Sequence, residues 1–250
     1  MQQVLQHYTP YGWRLKIGMI VPRTNSIAEA ELWRMAPEGV TIHTGRMVLH
    51  VDSADPAGRQ ALLDDLAGAT REIAQAGPDV IAYNCTAGSL VSPLELLTDH
   101  ISEVGRVPGV ATGPAIVAAL RALGVRRIAL ATPYHEPVNR HEIAFFAEHG
   151  IETVADRGLG IGAGGPDEYR NLSRVPPEVA YRLARTVDRP EAEALVISCA
   201  DFATLPILPR LEAELGKPVV SSNLALFWAA LRAGGVHDRP AGHGRLLAER

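Results

Sequence analysis

The chain reads as an α/β protein made of two pseudo-symmetric, Rossmann-like lobes with parallel sheets and a site between them. Three observations predict this. Short apolar runs of strand length alternate with helical segments along all 250 residues. Landmarks also recur at a nearly constant offset: Pro22 and Pro133 lie 111 apart, as do AALRALG at Ala118 and AALRAGG at Ala229, while Cys85 and Cys199 lie 114 apart. An interval this long is a duplication, since solenoid repeats run at about 20 to 50 residues. Finally, the only two cysteines each end an apolar run, VIAYNC and LVISC, and each is followed by small and hydroxylated residues.

Taken in order, residues 1–14 form a tail or edge segment. The apolar run 15–21 is a strand, and Pro22-Arg23-Thr24-Asn25-Ser26 turns from it into a helix over 27–35. A strand over 40–50 precedes an amphipathic helix over 56–76, with Leu62, Leu66, Ala69 and Ile73 on one face and Gly77-Pro78 as its stop. Strand 80–84 leads to Cys85, followed by a helix over 93–104 and a short strand over 109–112. Pro114 opens the next helix and Gly124 closes it. The second half repeats the order, with strands at 127–132, 151–156, 194–198 and 219–220. Its helices end at Gly150 or span 176–187, 207–215 and 224–233. The glycine-rich passage Gly158 to Gly165 reads as a mobile loop over the cleft. Its G-x-G-x-x-G at Gly160, Gly162 and Gly165 lacks the immediate helix start of a dinucleotide site, so no nucleotide cofactor is expected.

Composition excludes several functions. A chain of 250 residues buries roughly 70 to 75 per cent of its unfolded surface, so its core needs neither disulfide nor metal. Lys and Arg are scattered within a net charge of −4, and no nucleic-acid partner is expected. The most apolar long run, 107–125, is broken by Arg121, so no membrane span is expected, and the start MQQVLQHYTPYGWRLK has no apolar leader. Two cysteines without a secretory context point to reduced thiols and a cytoplasmic location. The nine histidines show no metal-ligand spacing, and G-x-S-x-G is absent.

Ligands of parallel α/β sheets bind beyond the carboxyl ends of the strands, where both cysteines fall. If the halves face each other, Cys85 and Cys199 reach opposite walls of one cleft. A helix N-terminus lowers a thiol pKa from its free value near 8.5, so both sulfurs are expected to act as acid, base or nucleophile near neutral pH. Backbone amides and hydroxyls at Thr86 to Ser89, Thr112-Gly113, Ala200 to Thr204 and Ser221 to Asn223 would converge there as anion binders, unless they serve only as helix caps. The expected partner is a small carboxylate or dicarboxylate. Tyr134, after Pro133 at a strand end, is a further candidate.

VPRTN at Val21, YNCTAGSL at Tyr83, ATPYHEPV at Ala131 and VISCADFATLP at Val196 resemble the maleate cis-trans isomerase and arylmalonate decarboxylase group of the aspartate/glutamate racemase superfamily. The resemblance covers nearly the whole chain and implies two four-stranded parallel sheets, no cofactor and no metal. The repeat divides into a first lobe of 1–112 with 223–250 and a second of 113–222, and a homodimer is expected because α/β proteins of this kind often pair. The decarboxylases carry glycine where this chain has Cys85, which favours an isomerase or racemase. By resemblance Cys85 attacks a double bond, Cys199 is the partner acid and base, and Asn25 and Tyr134 hold carboxylates. Thr86, Ala87, Ala200 and Pro22 complete the expected substrate-binding set. Tyr169 stands where the isomerases have asparagine, with Asn171 two residues off, and Phe202 and Trp228 suggest a bulkier substrate unless both are core.

Overall fold

The computed structural model describes residues 9–50 and 55–250. Two four-stranded sheets, parallel throughout, have equivalent orders. The first runs β2 (Val40–Met47), β1 (Leu15–Pro22), β3 (Val80–Tyr83), β4 (Gly109–Ala111). The second runs β6 (Glu152–Ile161), β5 (Arg127–Tyr134), β7 (Ala194–Ile197), β8 (Val219–Ser221). The offset near 111 residues is therefore a structural repeat in which β5 stands for β1 and β7 for β3.

The helices are α1 (Ala28–Met35), α2 (Pro56–Ala74), α3 (Leu96–Gly105), α4 (Thr112–Ala122), α5 (Glu136–Glu148), α6 (Pro177–Val187), α7 (Leu208–Leu215), α8 (Ser222–Ala233) and α9 (Arg245–Glu249). They cover both faces of each sheet, which is why the central strands are unbroken apolar runs. On β1, Ile17, Met19 and Val21 join the main core, while Ile20 faces Leu62 and Leu66 of α2 and Leu97 and Ile101 of α3. That main core runs through both lobes. Helices α4 and α8 pack on each other where the lobes meet, and α8 lies on β3 and β4 as well as beside β8.

Several element boundaries differ from the sequence reading. The glycine-rich passage is half strand: β6 continues to Ile161 instead of stopping at 156. A Cβ at Gly158 would collide with the Tyr134 carbonyl and the Asn139 amide, so glycine is what lets β6 run alongside the end of β5. After Ile161 a tight turn leads into a 3₁₀ helix, Pro166–Arg174. Cys85 is followed by a single 3₁₀ turn, Ala87–Ser89, and α3 begins only at Leu96. On α2 the sealed face is Leu62, Leu66, Ala67, Thr70 and Ile73, with Ala69 half-buried at its edge. Residues 1–8 of the expected tail lie outside the described residues.

Among the described residues no helix is long and apolar enough to cross a membrane, and no group of three or more metal-ligating side chains gathers.

Candidate active site

Cys85 and Cys199 line one cavity of about 400 Å³ at the carboxyl ends of the sheets. The first lobe contributes Pro22, Asn25, Thr86 and Ala87, and the second Tyr134 and Ala200, so the two thiols and the six residues expected to bind substrate beside them lie on its wall. Each arrives there for a local reason. Pro22 ends β1, and Asn25 follows in the turn to α1. The Asn25 Oδ1 accepts the N–H groups of Ile27 and Ala28, at 3.1 and 3.0 Å, which caps α1 and leaves the amide NH₂ as the free donor. Tyr134 ends β5, its N–H donating to the Thr132 hydroxyl at 3.1 Å. Among the described residues no protein group accepts the N–H of Thr86, Ala87 or Ala200. These amides remain available to an anion beside each thiol.

Cys85 and Cys199 are 5 and 3 per cent exposed. Burial is the largest influence on both and pushes both thiol pKa values up, opposite to the expectation drawn from helix N-termini. A one-turn 3₁₀ segment at Cys85 and a bare turn at Cys199 supply only single opposing amides, from Gly88 and Asp201 respectively. The resting site therefore holds two neutral thiols. Each faces a phenol: Tyr83 directs its hydroxyl at Cys85 and Tyr134 directs its own at Cys199, and both contacts favour the thiolate against burial. The Tyr83 hydroxyl is sealed, and among the described residues it has no hydrogen-bond partner of good geometry. The nearby Asp201 carboxylate raises both thiols further.

The anion-binding set divides. Thr86, Ala87, Ala200 and Asp201 line the cavity, whereas Ser89, Thr112, Gly113 and Ser221 to Asn223 do not. Those polar groups are spent inside the protein. Ser89 Oγ accepts the Gly113 N–H at 2.8 Å, Thr112 donates to the Tyr83 carbonyl and Asn84, and Ser221 Oγ accepts the Leu224 N–H. Phe202 is fully buried core, and Trp228 packs at the core's edge; neither lines the cavity. Tyr169 does line it, and Asn171 is exposed.

Sequence reasoning missed the acidic groups. Asp201 lines the cavity with Oδ1 held by the Ser26 N–H at 2.9 Å, and desolvation raises its carboxyl to about 6. Glu31, buried on α1, reaches the opposite lobe and accepts the N–H groups of Thr204 and Leu205 at 2.6 and 2.7 Å and the Asn223 amide at 2.8 Å. Its counterpart 111 residues on, Glu142, is buried on α5 with no hydrogen-bond partner of good geometry for either oxygen among the described residues, and burial raises it to about 7. The repeat offset applied to glutamates would have found this pair. His135 and His141 also line the wall, and His141 Nε2 donates to the Leu90 carbonyl at 2.8 Å.

The sequence pattern of the arylmalonate decarboxylase family matches residues 17–247. The chain belongs to that family. Arylmalonate decarboxylase of Bordetella bronchiseptica is 34% identical over 240 residues, covering 93% of this chain and 96% of the relative. Maleate isomerase of Nocardia farcinica is 32% identical over 251 residues, with coverage of 94% and 96%. A solved structure of the Nocardia farcinica maleate cis-trans isomerase, a cysteine-to-serine mutant with a covalently bound succinylcysteine intermediate, superposes with a TM-score of 0.83 at 27% identity. It covers 94% of this chain and 99% of that one. The family's members thus include isomerases and decarboxylases, and a cysteine of one of them forms a covalent intermediate.

Proposed function

We propose that this protein is a cofactor-independent isomerase of a small unsaturated carboxylate, acting on the maleate-to-fumarate pattern. The observation that carries the reading is the presence of two thiols, from equivalent strand ends of the two lobes, on the wall of one cavity. The Cys85 S–H adds across the double bond: sulfur bonds one carbon, and the proton reaches the other through Cys199. The former double bond is now single and rotates. Cys199 then withdraws a proton from that carbon, the C–H electrons restore the double bond in the trans form, and the S–C electrons leave on the Cys85 sulfur, which takes the proton back to regenerate its thiol. Protons and electrons balance, consistent with two neutral thiols at rest. The Asn25 amide, the Tyr134 hydroxyl and the amides of Thr86, Ala87 and Ala200 hold carboxylate oxygens.

Leu49, Pro137, Val138 and Leu172 line the cavity as well, and among the described residues no Lys or Arg does. A cavity of about 400 Å³ falls within the range of drug-sized ligands, so we place an apolar substituent against these residues. Proton NMR of a panel of cis-enoates in D₂O, with mass spectrometry of the protein, tests the reading. The expected result is isomerisation with an adduct on Cys85, lost with turnover in Cys85→Ser. A fully active Cys85→Ser sinks the covalent step. Deuterium entering an α-carbon without any adduct replaces isomerisation by racemisation.

The allotment of 223–250 to the first lobe fits the seat of α8 on β3 and β4. Pairing of two chains is supported by Tyr11, Trp13 and Trp33, which are 78, 60 and 47 per cent exposed beside one groove. Light scattering tests it. A reducing cytoplasm suits two free thiols.

A further inference from the structure

Cys199 has φ +126°, a backbone region that side-chain-bearing residues rarely occupy, whereas Cys85 has no such backbone. Conformations of this kind persist only where surrounding contacts over-determine them. The contact here is specific. The Cys199 N–H donates to Ser222 Oγ at 2.9 Å, and the same oxygen accepts the Thr86 hydroxyl at 2.8 Å. Thr86 directly follows Cys85, so one oxygen ties the loop of the second thiol to the loop of the first across the lobe boundary.

The plain alternative is that Ser222 merely caps α8. That task is already filled, because Ser221 Oγ accepts the Leu224 N–H. Ser222 is fully buried and absent from the cavity wall, so it does not meet substrate directly. We propose that Ser222 is a positioning residue that holds the Cys199 thiol at its separation and aim relative to Cys85 through the Thr86–Ser222–Cys199 bridge. The role rests on the two-thiol reading above. A displacement of about 1 Å at a reacting group costs on the order of 100-fold in rate, which is the scale on which such a bridge matters.

The test compares Ser222→Ala with Ser222→Thr, which keeps the oxygen, and with Thr86→Val, which cuts the other arm. Ser222→Ala is expected to lower kcat about 100-fold with KM within about threefold, and Ser222→Thr to restore most of it. Without any substrate, iodoacetamide should alkylate Cys199 about tenfold faster in Cys85→Ser/Ser222→Ala than in Cys85→Ser, as the released loop exposes a sulfur now sealed. Cys85 in a Cys199→Ser background should change by less than about threefold. Equal acceleration of both thiols would reduce Ser222 to a general stabiliser and overturn the proposal. So would unchanged Cys199 reactivity in folded Ser222→Ala and Thr86→Val. Differential alkylation in a protein that isomerises no carboxylate would sink the isomerase reading and leave the bridge standing.

Discussion

Glu142→Gln should abolish a pH dependence of stability that the wild-type protein carries. Both Glu142 oxygens are buried with no hydrogen-bond partner of good geometry among the described residues, and desolvation outweighs the nearby Ser198 hydroxyl and raises the carboxyl from 4.5 to about 7. In the unfolded chain the group titrates near its ordinary value. The folded state therefore holds the proton more tightly. Its contribution is fully favourable below pH 4.5, falls as pH rises, and is exhausted just above pH 7. A shift of about 2.5 units at 1.36 kcal/mol each gives about 3 kcal/mol. Asp201 and the thiols tilt the absolute curve in the same direction, so the informative quantity is the difference between variants. Urea unfolding at pH 5 and at pH 8.5 should show Glu142→Gln gaining about 2.5 kcal/mol on the wild type across the interval, since part of the effect is already spent at pH 5, at unchanged m. A difference independent of pH would mean that Glu142 is solvated or paired, and the reasoning would fail. Glu31→Gln is the control. Its carboxylate accepts two backbone amides and an Asn amide, so the same substitution should destabilise by about 1.5 to 3 kcal/mol at neutral pH.

Two more consequences can be checked on the same footing. At Cys199, φ +126° reverses the usual order of small residues: Cys199→Gly should be more stable than Cys199→Ala by about 1 kcal/mol in urea unfolding, and equal midpoints would deny the strain. Asp201→Asn removes a charge that raises both thiols. At pH 8 both cysteines should alkylate about tenfold faster, and at pH 5, below the Asp201 value of about 6, the two proteins should converge; no gain at pH 8 would place the carboxylate too far from the sulfurs.

The repeat and the sheet class were legible because they are written in period and spacing. Buried strands read as apolar runs, and Pro22 against Pro133 or Cys85 against Cys199 survive any uncertainty about boundaries. The wall of the cavity followed, since residues at equivalent strand ends must converge once the lobes face each other. Burial was the part that spacing does not encode. Nothing in YNCT or SCAD says that the sulfurs are sealed, so a helix-end argument set the wrong sign on their pKa values. The hydroxylated residues failed in a similar way. Thr86 and Ser222 look alike in sequence, yet one faces the cavity and the other is consumed by Thr86 and the Cys199 amide. Gly158 was read as looseness because composition marks it so, while its cause is the closeness of the Tyr134 carbonyl.

Custody of the two thiol loops is exchanged between the halves. Glu31 of the first half grips Thr204 and Leu205 beyond Cys199, and His141 of the second grips Leu90 beyond Cys85. Neither loop is held by its own half alone. A disturbance at the boundary between the halves therefore reaches both thiol loops at once.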